Sequence, residues 1–166
     1  GMEKGRKTAI VTGASRGVGH ATAKLFLDRG WRVITCARAE PEADFRLDQT
    51  WSRHINVDLV DAASVDAFIA EANGALDGEP LYALVNNAGM SPKSPNQERL
   101  GCLNGDIDAW RDVFELNIFA ALKLGRGFAQ ALASGSGAIV NVTSIAGHMI
   151  HPFAGSAYSS SKAALS

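Results

Sequence analysis

Thr12-Gly13-Ala14-Ser15-Arg16-Gly17-Val18-Gly19 is the stretch that decides the fold. The apolar run before it, Lys7–Val11, predicts a buried strand, and Val18–Asp28 behind it predicts a helix that ends at Gly30. A glycine-rich turn between a strand and a helix places a nucleotide pyrophosphate on the helix N-terminus. We expect Gly13 to permit the sharp turn, Gly17 to let backbone N–H groups approach the phosphates and Gly19 to let the helix pack on the sheet.

Such glycine turns also occur in plain α/β connections, so the rest of the chain has to decide between the two interpretations. Apolar, strand-like runs alternate with helical stretches, and they are nearly continuous in apolar residues, as is typical of parallel strands covered on both faces. The predicted strands are Thr8–Val11, Trp31–Cys36, His54–Val57, Leu81–Val85 and Ala138–Val142. The predicted helices are Val18–Asp28, Ala62–Ala75 and one long helix from Ile107 to Ala133, with Asp61 and Asp106 as N-caps. This alternation predicts a doubly wound α/β fold with right-handed crossovers. Together with the glycine turn it favours a Rossmann-type parallel sheet, for which we expect the strand order 3-2-1-4-5.

The two long loops differ in what they predict. Residues 39–53 are polar, and we expect them to be exposed. Residues 90–105 follow the end of a strand, and ligands of open α/β sheets bind beyond the carboxyl ends of strands. We therefore expect the second loop to form a wall of the site.

Length and composition exclude several classes of protein. The chain has 166 residues, 46% of them hydrophobic and 20% charged, with a formal net charge of −1. This charge gives no reason to expect a nucleic acid or membrane partner, and the apolar runs are too short to span a membrane. Cys36 and Cys102 are too few for a disulfide framework or a metal site, which favours a reduced, cytoplasmic protein without a metal.

Gly1 before Met2 resembles a tag remnant, so we expect a tail over residues 1–6 and a single domain over residues 7–166.

The end of the second predicted strand indicates the cofactor. An acidic residue there would bind a ribose 2′-hydroxyl and indicate NAD. This chain has Arg38 instead, and Arg16 in the glycine turn supplies a second guanidinium. Two such groups suit a 2′-phosphate, which favours NADP, with NAD as the alternative. Both arginines could instead be ordinary solvated surface residues.

Tyr158 and Lys162 carry the predicted chemistry. They are four residues apart, so on a helix we expect them to share one face. A nearby ammonium lowers the pKa of a tyrosine from about 10, which makes the phenol usable in proton transfer. Ser144 can donate a hydrogen bond to a substrate oxygen as negative charge develops on that oxygen.

Asn117 interrupts the otherwise apolar or small-residue stripe of the long helix. A buried amide without hydrogen-bond partners costs about 1–3 kcal/mol there, so the Asn117 side chain needs partners. Asn117 could also be a helix-bend residue bonded to the backbone.

Five motifs in this order resemble the short-chain dehydrogenase/reductase family. They are the glycine turn, Asn86-Asn87-Ala88-Gly89, Asn117, Ser144 and Tyr158-Ser159-Ser160-Ser161-Lys162. The resemblance runs from Lys7 to the end of the chain and implies hydride transfer between a nicotinamide and a small-molecule alcohol or carbonyl, with Tyr158 as acid or base. It implies that Lys162 also holds the nicotinamide ribose and that Asn117 supports a proton relay to Lys162. It also implies that Asp58 and Leu59 lie against the adenine and that Asn87, Ala88 and Gly89 line the cofactor cleft. The expected cofactor-binding set also contains Gly13, Ser15, Arg16, Gly17, Val18, Gly19, Arg38 and Tyr158.

Members of that family continue beyond the position of Ser166 with further strands and a substrate-covering segment. We therefore expect an exposed apolar edge at Ala138–Val142, weak cofactor binding and little turnover from this chain alone. Two alternatives stay open, a catalytically inactive dinucleotide-binding fragment or interaction module and a sugar-nucleotide-modifying relative. The family resemblance also allows a homo-oligomer. His20, His54 and the three tryptophans are expected to be structural residues.

Overall fold

The computed structural model of the protein describes residues 5–15, 17–41, 44–45, 48–87 and 106–142, without the side chains of Trp110 and Asn117. The strands are β1 (Thr8–Thr12), β2 (Arg32–Ala37), β3 (Trp51–Asn56), β4 (Ala83–Asn86) and β5 (Ala138–Asn141). The helices are α1 (Gly17–Asp28), α2 (Ala62–Leu76), α3 (Ile107–Phe114), α4 (Ala120–Gly127) and α5 (Ala129–Gly135), with a π-helix at Glu115–Phe119 between α3 and α4.

The strands form one parallel sheet in the order β3-β2-β1-β4-β5, which confirms the predicted topology. Side chains that alternate along a strand point to opposite faces of the sheet. Ile10 of β1 accordingly packs with Phe68 of α2 and Phe128, whereas Val11 packs with Ala23 and other residues on the α1 side. The sheet is therefore covered on both faces, as a doubly wound fold requires.

The caps of the later helices follow from the sequence. The Asp61 side chain accepts a hydrogen bond from the Ala63 N–H, and the Asp106 side chain accepts one from the Asp108 N–H. Both predicted N-caps are thus confirmed.

The long helix predicted from Ile107 to Ala133 is not continuous. A π-helix interrupts it at Glu115–Phe119, and Phe128, with φ −105° and ψ 7°, separates α4 from α5. Beyond the π-helix, Ala120, Leu124, Phe128 and Leu132 are buried and Ala121 is half-buried, so the apolar face of the helical stretch continues across the interruption. Regular helical spacing could not predict the π-helix, because it assumes a constant number of residues per turn.

The prediction of an exposed loop over residues 39–53 is wrong in part. β3 begins at Trp51, and Phe45 is completely buried within the cluster between the sheet and α1. The Phe45 ring stacks on the His20 ring of α1, with their centroids 4.4 Å apart. One apolar side chain therefore anchors a loop that its polar composition placed in solvent.

Candidate functional site

The glycine turn after β1 is closed on one side and open on the other. Gly13 and Gly17 have φ values of 63° and 62°, a left-handed conformation that favours glycine. A Cβ on Gly19 would lie 2.1 Å from the Gly13 carbonyl oxygen, so no larger residue fits there unless the backbone shifts. A Cβ on Gly17 would meet nothing within 4 Å. The turn is therefore packed against its own helix at Gly19 and leaves open space at Gly17.

Hydrogen bonds tie this turn to the ends of the neighbouring strands. Thr12 Oγ1 donates to the Val85 carbonyl at 3.4 Å and accepts from the Asn87 N–H at 2.9 Å. The Asn87 side chain donates to the Gly13 carbonyl at 3.4 Å. On the other side, the Ala14 N–H donates to the Cys36 carbonyl at 3.3 Å. These bonds fix the turn between β2 and β4 at the carboxyl edge of the sheet.

A cleft of about 670 Å³ opens at this edge. Its size and position match those of small-molecule sites in doubly wound sheets. Arg38 and Glu40, just after β2, bring charged side chains of both signs, and Asp58, after β3, adds a carboxyl group. The lining residues are Gly13, Ser15, Gly17, Ala37, Arg38, Ala39, Glu40, Val57, Asp58, Leu59, Val60, Asn87 and Leu116.

The backbone around Asp58 is fixed by short-range hydrogen bonds. The Asp58 N–H donates to Ser64 Oγ at 3.0 Å, and Asp58 Oδ1 accepts from the Val60 N–H at 3.2 Å. Farther back, the Val57 N–H donates to the Ala37 carbonyl at 2.9 Å. The walls contributed by β2 and β3 are therefore joined directly beneath the cleft.

Cys36 lies beside the turn but is unsuited to nucleophilic chemistry. Burial raises the pKa of its thiol to about 12, although a hydrogen bond with the Gly13 backbone acts in the opposite direction. A thiol with this pKa is almost entirely protonated at neutral pH. Cys36 is therefore a packing residue of the sheet.

The π-helix brings an irregular helical segment to the cleft. Leu116 lines the cleft, and the backbone of Asn117 lies in the same π-helix, next to it in the chain. Single π turns within α-helices often occur at functional sites. The side chain of Asn117 is outside the described part of the chain.

The structure brings many of the predicted site residues together. Gly13, Ser15, Gly17, Arg38, Asp58, Leu59 and Asn87 all line the cleft. Gly19 lies beneath the turn, and Val18 is 62% exposed in the first turn of α1 without lining the cleft. The other predicted residues lie outside the described residues: Arg16, Ala88, Gly89, Ser144, Tyr158 and Lys162.

Sequence reasoning missed some lining residues. Ala37, Ala39, Glu40, Val57 and Val60 adjoin the ends of β2 and β3, so the rule that ligands bind beyond the carboxyl ends of strands could have found them. Leu116 had no such signal, because its position depends on the π-helix.

Neither a metal site nor a membrane-spanning helix is found among the described residues. They contain no group of three or more His, Cys, Asp or Glu side chains placed to hold a metal ion. None of the helices described is long and apolar enough to cross a membrane.

The chain is similar to proteins of one family. Residues 7–166 match the family model of the short chain dehydrogenases. Protein FixR of Bradyrhizobium diazoefficiens is 51% identical over 163 residues, and a cis-4-hydroxycyclohexanecarboxylate dehydrogenase of Sinomonas cyclohexanicum is 36% identical over 163 residues. These alignments cover 96% and 95% of this chain but 58% and 62% of the two relatives, so the chain spans about three fifths of their length.

A crystal structure extends the likeness to three dimensions. It is that of an oxidoreductase of the short chain dehydrogenase/reductase family from Brucella ovis, in complex with a partially ordered NAD. Its sequence is 48% identical, and the TM-score is 0.88 over 96% of this chain and 73% of that chain.

Proposed function

The chain belongs to the short-chain dehydrogenase/reductase family, and on this premise we propose that it forms the cofactor-binding part of an NADP-dependent oxidoreductase. The proposed reaction interconverts an alcohol and a ketone or aldehyde. The observation that carries the proposal is the cleft at the carboxyl edge of the sheet, where the open glycine turn and Arg38 face one volume.

The described residues fit a nicotinamide dinucleotide. The left-handed Gly17 and the open space beside it allow a phosphate to approach the N-terminus of α1. Asp58 and Leu59 line the part of the cleft proposed for the adenine, and Asn87 lines the side formed by β4. Family membership and the NAD complex of the Brucella ovis protein support this class of cofactor.

The choice of NADP rests on Arg38. It lies directly after β2, is exposed and lines the cleft, where a guanidinium can bind a 2′-phosphate through charge-assisted hydrogen bonds. Glu40 lines the same cleft two residues later, and NAD is therefore the competing possibility that the experiment has to decide. Arg16 is the second arginine that the sequence offers for this role.

The proposed chemistry uses four residues at their sequence positions. The bound nicotinamide supplies or accepts the hydride. Tyr158 donates the proton to the substrate oxygen in reduction and removes it in oxidation, and the Lys162 ammonium lowers the pKa of the phenol. Ser144 donates a hydrogen bond to the same oxygen, and Asn117 supports the proton relay to Lys162.

The cofactor preference can be tested by binding alone. We expect the wild-type protein to bind NADPH more tightly than NADH, and Arg38→Gln to raise the dissociation constant for NADPH about tenfold or more, since hydrogen bonds to charged groups contribute about 1.5–3 kcal/mol. The dissociation constant for NADH should change little. Arg53→Gln is the matched control, because Arg53 is an exposed arginine on β3 that pairs with Glu71 and does not line the cleft. Equal affinities for the two cofactors in both proteins would contradict the NADP preference.

The catalytic part has a separate test. In the protein that carries this sequence, Tyr158→Phe should abolish turnover of a panel of ketones and aldehydes and spare most of the NADPH binding, since it leaves the other cofactor-binding residues in place. Unchanged turnover would refute the role of Tyr158. If the wild-type protein binds cofactor but reduces no member of the panel, the function is that of a dinucleotide-binding module.

A further inference from the structure

β3 contains an irregularity that changes which side chains lie together. Val33 pairs with Trp51, but Ile34 pairs with Arg53, so Ser52 is an extra residue in β3. In a regular strand, Trp51 and His54 would point to opposite faces because they are three residues apart. The bulge brings both to the face that Thr35 of β2 occupies, as their contacts with Thr35 show. Bulges of this kind commonly redirect a side chain beside a functional site.

The redirected side chains form a series of hydrogen bonds with one direction. Trp51 Nε1 donates to Thr35 Oγ1 at 3.3 Å, and Thr35 Oγ1 lies 2.8 Å from His54 Nδ1. His54 Nε2 lies 2.9 Å from the Ala39 carbonyl oxygen, which can only accept. Nε2 of the neutral ring therefore carries the hydrogen, and Nδ1 accepts from the Thr35 hydroxyl. Thr35 is completely buried, so the series is anchored within the sheet.

The outer end of this series lies at the candidate cleft. Ala39 stands between Arg38 and Glu40, and all three residues line the cleft. They follow the end of β2 and are exposed, whereas Ala37 is held by β3 through the Val57 N–H. The bond from His54 reaches two residues beyond Ala37, into the segment that carries the Arg38 guanidinium.

We propose that His54 is a positioning residue for the cofactor, which holds residues 38–40 through the Ala39 carbonyl in the shape that receives the adenosine ribose and its 2′-phosphate. The inference rests on the proposed function. It assigns a role in binding to a histidine that the sequence marked only as structural. His54 acts through the backbone of the segment, so its effect should be confined to the adenosine half of the cofactor.

The test compares ligands that contain different halves of the cofactor. In His54→Asn the shorter side chain loses its reach to Ala39, and the dissociation constants for NADPH and for 2′,5′-ADP should rise about three- to tenfold, as expected for one net hydrogen bond. The dissociation constant for reduced nicotinamide mononucleotide should not change. In His54→Gln the amide nitrogen can take the place of Nε2 and should restore most of the affinity. Trp51→Phe, which is one step farther from the cleft, should have a smaller effect than His54→Asn.

Isothermal titration calorimetry measures the dissociation constants of the three ligands, and a thermal melt of each variant shows whether it is folded. Arg53→Gln is the control on the same strand, and we expect it to bind all three ligands as the wild type does. Unchanged 2′,5′-ADP binding in a folded His54→Asn protein overturns the inference. The inference is also overturned if His54→Asn weakens the binding of reduced nicotinamide mononucleotide as much as that of 2′,5′-ADP, or if His54→Gln weakens binding as much as His54→Asn does. A merely structural role of His54 predicts both of these results.

If the wild-type protein binds none of the ligands, the proposed function itself fails. If it binds NADH as tightly as NADPH, only the NADP preference fails, and the His54 comparison is then read from NADH.

Discussion

Ala9-Ile10-Val11 of β1 and Ala138-Ile139-Val140 of β5 are the same tripeptide at the same level of one sheet. Ile10 and Ile139 both pair with Leu84 of β4, on opposite sides of it. Ile10 and Val11 are completely buried, whereas Ile139 is 50% exposed and Val140 is 46% exposed. The difference cannot come from the tripeptides themselves. It comes from their places in the sheet, because among the described residues β1 has a strand on each side and β5 has one only on the β4 side.

The candidate cleft is formed mainly by β1 and the strands near it, and less by the exposed strand β5. Apart from Leu116, the lining residues of the cleft lie at or just after the carboxyl ends of β1, β2, β3 and β4, and the hydrogen bonds of Thr12 and Asn87 join the central strands beneath it. β5 contacts this region through Asn141, which accepts from the Asn86 side chain at 3.0 Å, and through Val142, whose N–H donates to the Asn86 carbonyl. Differences between centre and edge should therefore be measurable in reactivity and in stability.

The largest expected contrast is in thiol reactivity. In a Cys102→Ser background, Cys36 of β2 should react with a disulfide reagent at pH 8 about a hundredfold or more slower than an ordinary thiol, because its burial keeps the reagent out and raises its pKa to about 12. A cysteine introduced by Val140→Cys on β5 should react at the ordinary rate. The rate of absorbance change of the reagent measures both. Comparable rates for the two thiols would contradict the contrast between centre and edge.

Truncating the paired isoleucines compares the two strands directly. Ile10→Ala removes a completely buried side chain and should lower the free energy of unfolding by about 2–5 kcal/mol. Ile139→Ala should lower it by about 1 kcal/mol or less, since half of that side chain already contacts water. Urea unfolding followed by circular dichroism gives both values. Equal losses would show that β5 is as well covered as β1.

The sequence predicted the strands and the doubly wound fold because strand-like runs and glycine turns leave local signals, and the order of the strands followed from the arrangement that Rossmann-type sheets share. The residue pattern alone could not separate β1 from β5, since burial depends on neighbours that are distant in the chain. The family resemblance did separate them, because it predicted an exposed apolar edge at Ala138–Val142, and β5 is exposed along its described length. The interrupted helix after Asp106 was missed for a related reason, as nothing in the apolar spacing marks the π-helix at Glu115–Phe119. At the site, the glycine motif and Arg38 were visible as patterns. The contact of His54 with Ala39 was not, because it needs the bulge at Ser52 and the pairing of β2 with β3.

Hydrogen bonds at the carboxyl ends of the strands give the next contrast. Thr12→Val should lower the free energy of unfolding by about 1–3 kcal/mol, because it leaves the Asn87 N–H without its acceptor at a buried position. Asn141→Ala at the exposed edge should lower it by about 1 kcal/mol or less, since water can replace the lost acceptor. Thr12→Ser keeps the hydroxyl and serves as the control in the same unfolding experiment. A Thr12→Val protein as stable as Thr12→Ser would show that this bond does not hold β1 to β4.

The smallest expected effect tests the opposite edge of the sheet, where the turn before β3 contains Asp48. Burial acts to raise the pKa of this carboxyl group, but hydrogen bonds from the Thr50 hydroxyl and backbone N–H, together with the charges of Lys24 and Arg6, hold the pKa below its ordinary value. A lowered pKa in the folded state means that the ionised carboxylate stabilises the protein above its unfolded pKa of about 3.9. That contribution is lost as the pH falls through the lower pKa of the folded state.

Asp48→Asn should therefore lower the free energy of unfolding by about 0.5 kcal/mol at pH 7, a small amount because water screens charges near the surface. This loss should vanish in strong acid. Urea unfolding of both proteins at pH 7 and at about pH 3 measures this, and Thr50→Val should reduce the pH dependence by removing one of the two donors. A cost of Asp48→Asn that does not change with pH would mean that the turn holds β3 by its shape alone and that its charged groups contribute little to stability.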